Sequence, residues 1–243
     1  AIRIGTRKYR YFKSRAIDGV VKTVTIKRDA LGDIYLYFVC ETAENEVLAR
    51  TGKSVGYDFG LTQFLTASDG NDREAPLFFK ANVAAIRRAG KALARKKQGS
   101  NHRKRARLAL ARLHKKTANQ RKDFHFKLAH AICEEYALVC IEDLNLRGMQ
   151  KRWGRKISDY GFAEFVKILK HQASKTGTTI QTIDRYYASS QTCHICGAQN
   201  PKTKDLRVRE WICSHCGAIH DRDRNAAKNI LKVGASTFFG EAS

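Results

Sequence analysis

No run of apolar residues in this 243-residue chain approaches the 18 that a membrane-crossing helix needs. The opening stretch AIRIGTRKYR is basic but leads into no apolar segment, so it does not read as a signal peptide. Neither a membrane partner nor export is therefore expected. The chain has no initiator Met, which makes a piece of a longer protein the expectation. Acidic residues are scarce: 23 Asp and Glu stand against 46 Lys and Arg, a net charge of +23. Such a charge repels itself in a compact fold unless a polyanion neutralises it, and nucleic acid is the leading candidate. The seven cysteines cannot all pair, and four of them form two CxxC pairs. That pattern predicts metal rather than disulfides, in a reducing, cytoplasmic compartment. With 43% hydrophobic residues the chain can build a packed core.

The excess charge is concentrated. Residues 80–122 hold sixteen basic residues and not one Asp or Glu. Their Ala, Leu, Lys and Arg content favours helix, with one break at Gly99–Ser100–Asn101. Two antiparallel helices are predicted, over 82–97 and 101–136, with Leu110, Leu113, Phe124, Leu128 and Ile132 as an apolar stripe. A solvated helical face usually mixes both signs, so a one-sign hairpin reads better as a phosphate-binding surface. The expected nucleic-acid contacts are Arg87, Arg88, Arg95, Lys96, Lys97, Arg103, Lys104, Arg105, Arg107, Arg112, Lys115 and Lys116.

Elsewhere the pattern alternates between strand and helix. Residues 20–28 and 33–41 read as a hairpin joined at Asp29–Gly32. Three short strands, 54–59, 62–67 and 76–79, form a predicted meander. Residues 137–142 read as a buried strand, 159–176 as a helix, 178–184 as a strand and 223–233 as a short helix, with a frayed tail from Gly234. The order after residue 51 is the connectivity of a ribonuclease H-like mixed sheet flanked by helices. The predicted organisation is a β-domain end at 1–50, a core at 51–184 with the basic hairpin inserted at 80–136, a cysteine-rich insert at 185–220, and a final helix and tail at 221–243.

Three acids stand out. Asp58 lies inside the apolar strand VGYDFG, where a carboxylate is costly without a cation or hydrogen bonds. Gly56 and Gly60 share its face and are expected to leave room for a ligand. Glu142 ends the strand LVCIE, and Asp223 opens the last helix. Each has a plainer reading: a turn residue before Gly60, a solvated strand end, and an N-cap. In a ribonuclease H arrangement the three converge, and hard carboxylates suit Mg²⁺ or Mn²⁺. Two such ions would serve phosphodiester cleavage.

Cys193-x₂-Cys196 and Cys213-x₂-Cys216 are 16 residues apart, each followed by Gly. This is the spacing of one structural, tetrahedral Zn–S₄ site, with Trp211 and Ile212 as its small core. His194 and His215, inside the knuckles, are the alternative ligands. Cys40, Cys133 and Cys140 read as buried thiols.

The blocks GYDFGLTQFLTASDG, VCIEDLNLRGM, DRYYASSQTCHICG and CGAIHDRDRNAAKNIL resemble those of the transposon-encoded OrfB/TnpB family. These are RNA-guided DNA nucleases with a RuvC-type domain, related to compact type V CRISPR effectors. The basic run at 98–129 is similar to the family's helical hairpin between the first two RuvC motifs. The resemblance implies that Asp58, Glu142 and Asp223 are the three RuvC carboxylates. It implies a guide RNA and a DNA target as partners. It also implies that residues 1–50 are the end of a wedge barrel, whose earlier portion and recognition lobe are not in this sequence.

Overall fold

The computed structural model describes residues 1–14, 16–41, 47 and 49–241. The remaining residues of the predicted 1–50 unit, and the last two of the predicted tail, lie outside the described residues. The first segment holds two separate two-stranded antiparallel sheets. One pairs β1 (Ile2–Ile4) with β2 (Arg7–Tyr9); the other pairs β3 (Val20–Arg28) with β4 (Ile34–Glu41). Every residue of β3 is exposed.

The central sheet has four strands: β5 (Ser54–Phe59), β6 (Leu65–Ala67), β7 (Leu138–Glu142) and β8 (Thr179–Ile183), in the order β6-β5-β7-β8. β6 is antiparallel to β5, whereas β5, β7 and β8 run parallel. Between β6 and β7 the chain makes α1 (Phe78–Ala94) and α2 (Asn101–Glu135). α3 (Leu146–Tyr160) and α4 (Phe162–Thr176) cross from β7 to β8. After β8 a loop leads to a small two-stranded unit, β9 (Glu210–Ile212) and β10 (Ile219–Asp221), and directly into α5 (Arg222–Glu241). The chain is thus a mixed α/β fold. Among the described residues no helix is long and apolar enough to cross a membrane.

Period-two alternation divides the sheet's two faces. Val55, Tyr57, Phe59, Val139 and Ile141 point into the main core, against Ile132 and Cys133 of α2 and Phe162, Phe165 and Leu169 of α4. Leu138 and Cys140 point the other way and pack with Ile183 and Ile230 beneath α5. α5 lies unusually close to the strands. A Cβ on Gly56 would meet the Ala227 carbonyl oxygen at 2.3 Å and the Leu231 nitrogen at 2.5 Å; one on Gly234 would meet Cys140 Sγ at 2.5 Å.

Four expectations need correction. Residues 76–79 are not a strand: α1 begins at Phe78, and only the isolated Leu65–Arg73 bridge extends the meander. The buried Asp159 carboxylate accepts hydrogen bonds from the Phe79 and Lys80 amides at 2.7 and 2.9 Å, supplying the helix start that the local sequence lacks. The predicted helix 159–176 is two helices, because Gly161 turns left-handed at φ 64°. The tail after Gly234 stays helical to Glu241, anchored on the sheet by Val233 and Phe238. Finally, the space above Gly56 is filled by α5 and offers no room to a ligand.

Gly56→Ala should destabilise the fold by about 3 kcal/mol, since the obstructing atoms are backbone. Gly90→Ala, at a helical site with nothing within 4 Å, should stabilise by about 1 kcal/mol. Urea unfolding midpoints of the two variants provide the check.

Candidate metal centres and nucleic-acid face

The acids come from three elements. Tyr57 pairs with Ile141 in the parallel β5–β7 ladder, so the next residues, Asp58 and Glu142, stand level on neighbouring strands. Asp58 alternates with Gly56, and Glu142 with Cys140, so both share the face that α5 covers. Asp223 lies in the first turn of α5. The N-cap role belongs to Asp221 instead, whose Oδ1 accepts from the Arg224 amide at 2.7 Å. Asp223 is paired with Arg209, whose Nη1 lies 3.2 and 3.0 Å from its two oxygens.

This neighbourhood resists negative charge. Burial, then the negative charges of Asp223 and Glu142, push the Asp58 carboxyl up to about 7, and the Arg222 guanidinium only partly opposes them. Burial, then Asp143, pushes Glu142 up to about 7. Asp143 itself is ion-paired with Arg185. The three carboxylates are not all within 4.8 Å of one another; among the described residues only the four cysteines gather that closely. Asp58 and Glu142 are half-buried and have no ion-pair partner among the described residues, and their carboxylates have the donor chemistry for a hard divalent cation.

The cysteine cluster has the dimensions of a thiolate zinc site. Cys193 Sγ lies 3.8 Å from Cys216 Sγ, and Cys196 Sγ lies 3.6 Å from Cys213 Sγ. A tetrahedron with Zn–S of about 2.3 Å has sulfur–sulfur edges of ~3.8 Å. The knuckles are built alike. The Gly197 amide donates to the Cys193 carbonyl at 2.9 Å and the Gly217 amide to the Cys213 carbonyl at 2.9 Å, with φ of 77° and 73° at the two glycines. The amides of Cys216 and His215 favour the Cys213 thiolate and draw its pKa down to about 6. Trp211 is buried against Val208 and Ala198, whereas Ile212, expected beside it, is exposed. Cys133 and Cys140 are fully buried and Cys40 is half-buried.

The basic hairpin is more selective than its composition. Arg87, Arg88, Arg95, Lys96, Lys97, Lys104, Arg105, Arg107, Arg112 and Lys116 are exposed and have no acidic partner among the described residues. Two expected contacts are otherwise engaged. Lys115 Nζ donates to Asp29 at 2.7 Å, Asp33 at 2.9 Å and the Tyr35 hydroxyl at 2.6 Å, so it fastens the β3–β4 loop to α2. The Arg103 side chain donates to the Leu93 and Lys96 carbonyls and closes the end of α1. Between that loop and α2 lies a cleft of about 560 Å³, rimmed by Arg28, Lys104 and Arg107.

Sequence reasoning missed Arg209, Asn225 and Asn229. Arg209 is one arginine among many, and no local pattern marks it. The two asparagines sit four apart beside small apolar residues on α5, and that was the available signal of a buried polar stripe.

Two outcomes follow from this geometry. Because folding raises the Asp58 pKa from 3.8 towards 7, its charge costs stability as pH climbs through that window. Asp58→Asn should therefore stabilise the metal-free protein progressively more from pH 4 to pH 7, and by a constant amount above; thermal midpoints at stepped pH measure it. Cys213→Ser should release about one zinc per chain, counted with a chromogenic chelator, while the far-UV circular dichroism of the main sheet and helices survives.

Residues 37–152 match the OrfB_IS605 family, described as "Probable transposase", and residues 162–230 match the Cas12f1-like TNB domain. A "Putative RNA-guided DNA endonuclease" of Streptomyces pristinaespiralis is 38% identical over 87% of this chain and 52% of its own length. The TnpB-like protein L79 of Acanthamoeba polyphaga mimivirus is 29% identical over 93% of this chain and 46% of its own length. This chain spans about half the length of these curated relatives. A CRISPR-Cas12f ternary complex, solved by cryo-EM, has a similar fold: TM-score 0.54 and 18% identity, over 86% of this chain and 44% of that one. The motifs, both family matches and these relatives agree that this chain is a relative of the OrfB/TnpB proteins.

Proposed function

We propose that this chain is the nuclease half of an RNA-guided DNA endonuclease, cutting at a ribonuclease H-like (RuvC) centre of Asp58, Glu142 and Asp223. The observation that carries this reading is the level placement of Asp58 and Glu142 on adjacent parallel strands, under the helix that bears Asp223. The raised pKa values of Asp58 and Glu142 come from burial and from neighbouring negative charge, a combination that suits cation binding. Two Mg²⁺ or Mn²⁺ ions held by these carboxylates would activate a water and stabilise the leaving 3′ oxygen of a phosphodiester.

The chain's own residues do the remaining work. Asp58 and Glu142 supply acceptor oxygens from rigid strands, and Asp223 supplies them from the end of a helix fixed on the sheet. The exposed cations of α1 and α2 hold nucleic-acid backbone by charge, without reading bases. The cysteine unit, residues 185–220, is a structural zinc ribbon inserted just before Asp223. Residues 1–50 are the end of a wedge-like β-domain, 51–184 the RuvC core with its hairpin insert at 80–136, and 221–243 the final helix and tail. Guide RNA and target DNA are the partners, and base pairing between them supplies sequence choice. The relatives named as RNA-guided DNA endonucleases support this assignment.

A strand-transfer reading is favoured by the description of the matching family as a transposase. Both reactions use the same acids. A denaturing gel separates them, since hydrolysis leaves shorter strands and transfer leaves joined ones.

Asp58→Ala, Glu142→Ala and Asp223→Ala should each lower Mg²⁺-dependent cleavage by at least about a thousandfold, with nucleic-acid binding retained. Cleavage assays in a guide-loaded complex measure this; near wild-type cutting by Asp223→Ala would remove that residue from the site. Neutralising Arg105, Arg107 and Arg112 together should weaken binding to all sequences alike. It should also lower the log–log salt slope by about 0.7–0.9 for each phosphate no longer neutralised. A sequence-selective loss at unchanged slope would mean base readout.

A further inference from the structure

We infer that Asn225 and Asn229 are positioning residues that join the cysteine knuckle and the helix bearing Asp223 into one mechanical unit, so that zinc occupancy sets the order of that helix's first turn. The inference rests on the proposed reading only in giving Asp223 a metal-binding task. The coupling itself stands on contacts.

Both side chains are 1% exposed. They lie four residues apart on α5, one turn of helix, and so present stacked amides on one face. Both amides donate to the same two carbonyls. Asn225 Nδ2 reaches Thr192 O at 2.8 Å and Ser189 O at 3.4 Å; Asn229 Nδ2 reaches them at 2.6 and 2.8 Å. Asn225 Oδ1 faces the other way along the knuckle. It accepts from the His194 amide at 3.0 Å and lies 3.0 Å from His194 Nδ1. The residues on both sides of Cys193 are therefore gripped by α5. Cys193 Sγ lies 3.1 Å from Nε2 of His220, which is buried against Trp211 two residues before α5 begins.

An amide is suited to this task. It carries two donors and an acceptor without charge, whereas Asp would lose the donors and Leu would lose donors and acceptor alike. Removing it strands buried backbone groups, a costly change that propagates to both partners. A zinc ion that holds Cys193 thereby holds Thr192 and His194, and they hold the turn containing Asp223. Metal partners outside the ligand shell commonly change metal affinity by 10–100-fold. Coupling of this kind is reciprocal.

The test compares hydrogen exchange in wild type and Asn225→Ala/Asn229→Ala, each with zinc bound and after chelation. In the wild type, chelation should accelerate exchange of the first-turn amides of α5 at least tenfold more than those of α4. In the double variant those amides should already exchange fast with zinc bound, and zinc release to a chelator should be about tenfold faster. Unchanged α5 protection after zinc removal in the wild type would overturn the coupling, whether or not the double variant folds. Wild-type zinc release and α5 protection in the double variant would overturn the role of the two asparagines. Mn²⁺ binding, followed by electron paramagnetic resonance, is a separate arm. Binding abolished by Asp58→Ala and weakened by the asparagine variant fits both readings. Mn²⁺ binding indifferent to Asp58→Ala would sink the catalytic assignment while leaving the exchange result to judge the coupling.

Discussion

The structure depends on the close seating of α5 on the central sheet. Gly56 of β5 lets the helix backbone approach a strand, and Gly234 lets Cys140 of β7 approach the helix. Any side chain at these positions would lift the helix away. That close approach fixes the distance between the helix start, where Asp223 sits, and the strand ends, where Asp58 and Glu142 sit. Arg224 adds a second restraint, donating to the Ala67 carbonyl at 2.7 Å and to Asp72 at 2.8 Å. The buried asparagines add a third.

The two faces of the sheet consequently do different work. One packs aromatic and aliphatic side chains under α2 and α4, with Phe64 stacked on Phe162 and edge-on to Phe165. The other is thinner and accommodates the acids at its rim. Hydrophobic burial on the first face stabilises the scaffold that holds like charges together on the second. The basic helices extend from the same scaffold: Leu128 and Ile132 of α2 pack on the core, Leu110 and Leu113 further out are only half-buried, and most of the cations remain exposed.

Much of this was legible in the sequence, and for identifiable reasons. Alternation predicted the β3–β4 hairpin, an unbroken apolar run predicted β7, and CxxC spacing predicted the four gathered sulfurs. An acid inside VGYDFG was anomalous enough to mark Asp58. Local pattern failed where tertiary contacts decide. Leu77–Phe79 is apolar enough for a strand, yet Asp159, 80 residues away, caps a helix there. Lys115 looked like every other cation until Asp29 and Asp33 met it. Gly56 was correctly singled out, but its partner is a helix and not a ligand, which no one-dimensional pattern could distinguish.

The central claim is that one metal centre unites Asp58, Glu142 and Asp223. Replacing Mg²⁺ by Fe²⁺ and generating hydroxyl radicals with ascorbate and peroxide cuts the backbone next to bound metal. The account predicts three clusters of cuts, around residues 58, 142 and 223, suppressed together by excess Mg²⁺. Cuts confined to one of these segments, or located elsewhere and indifferent to Mg²⁺, would contradict it.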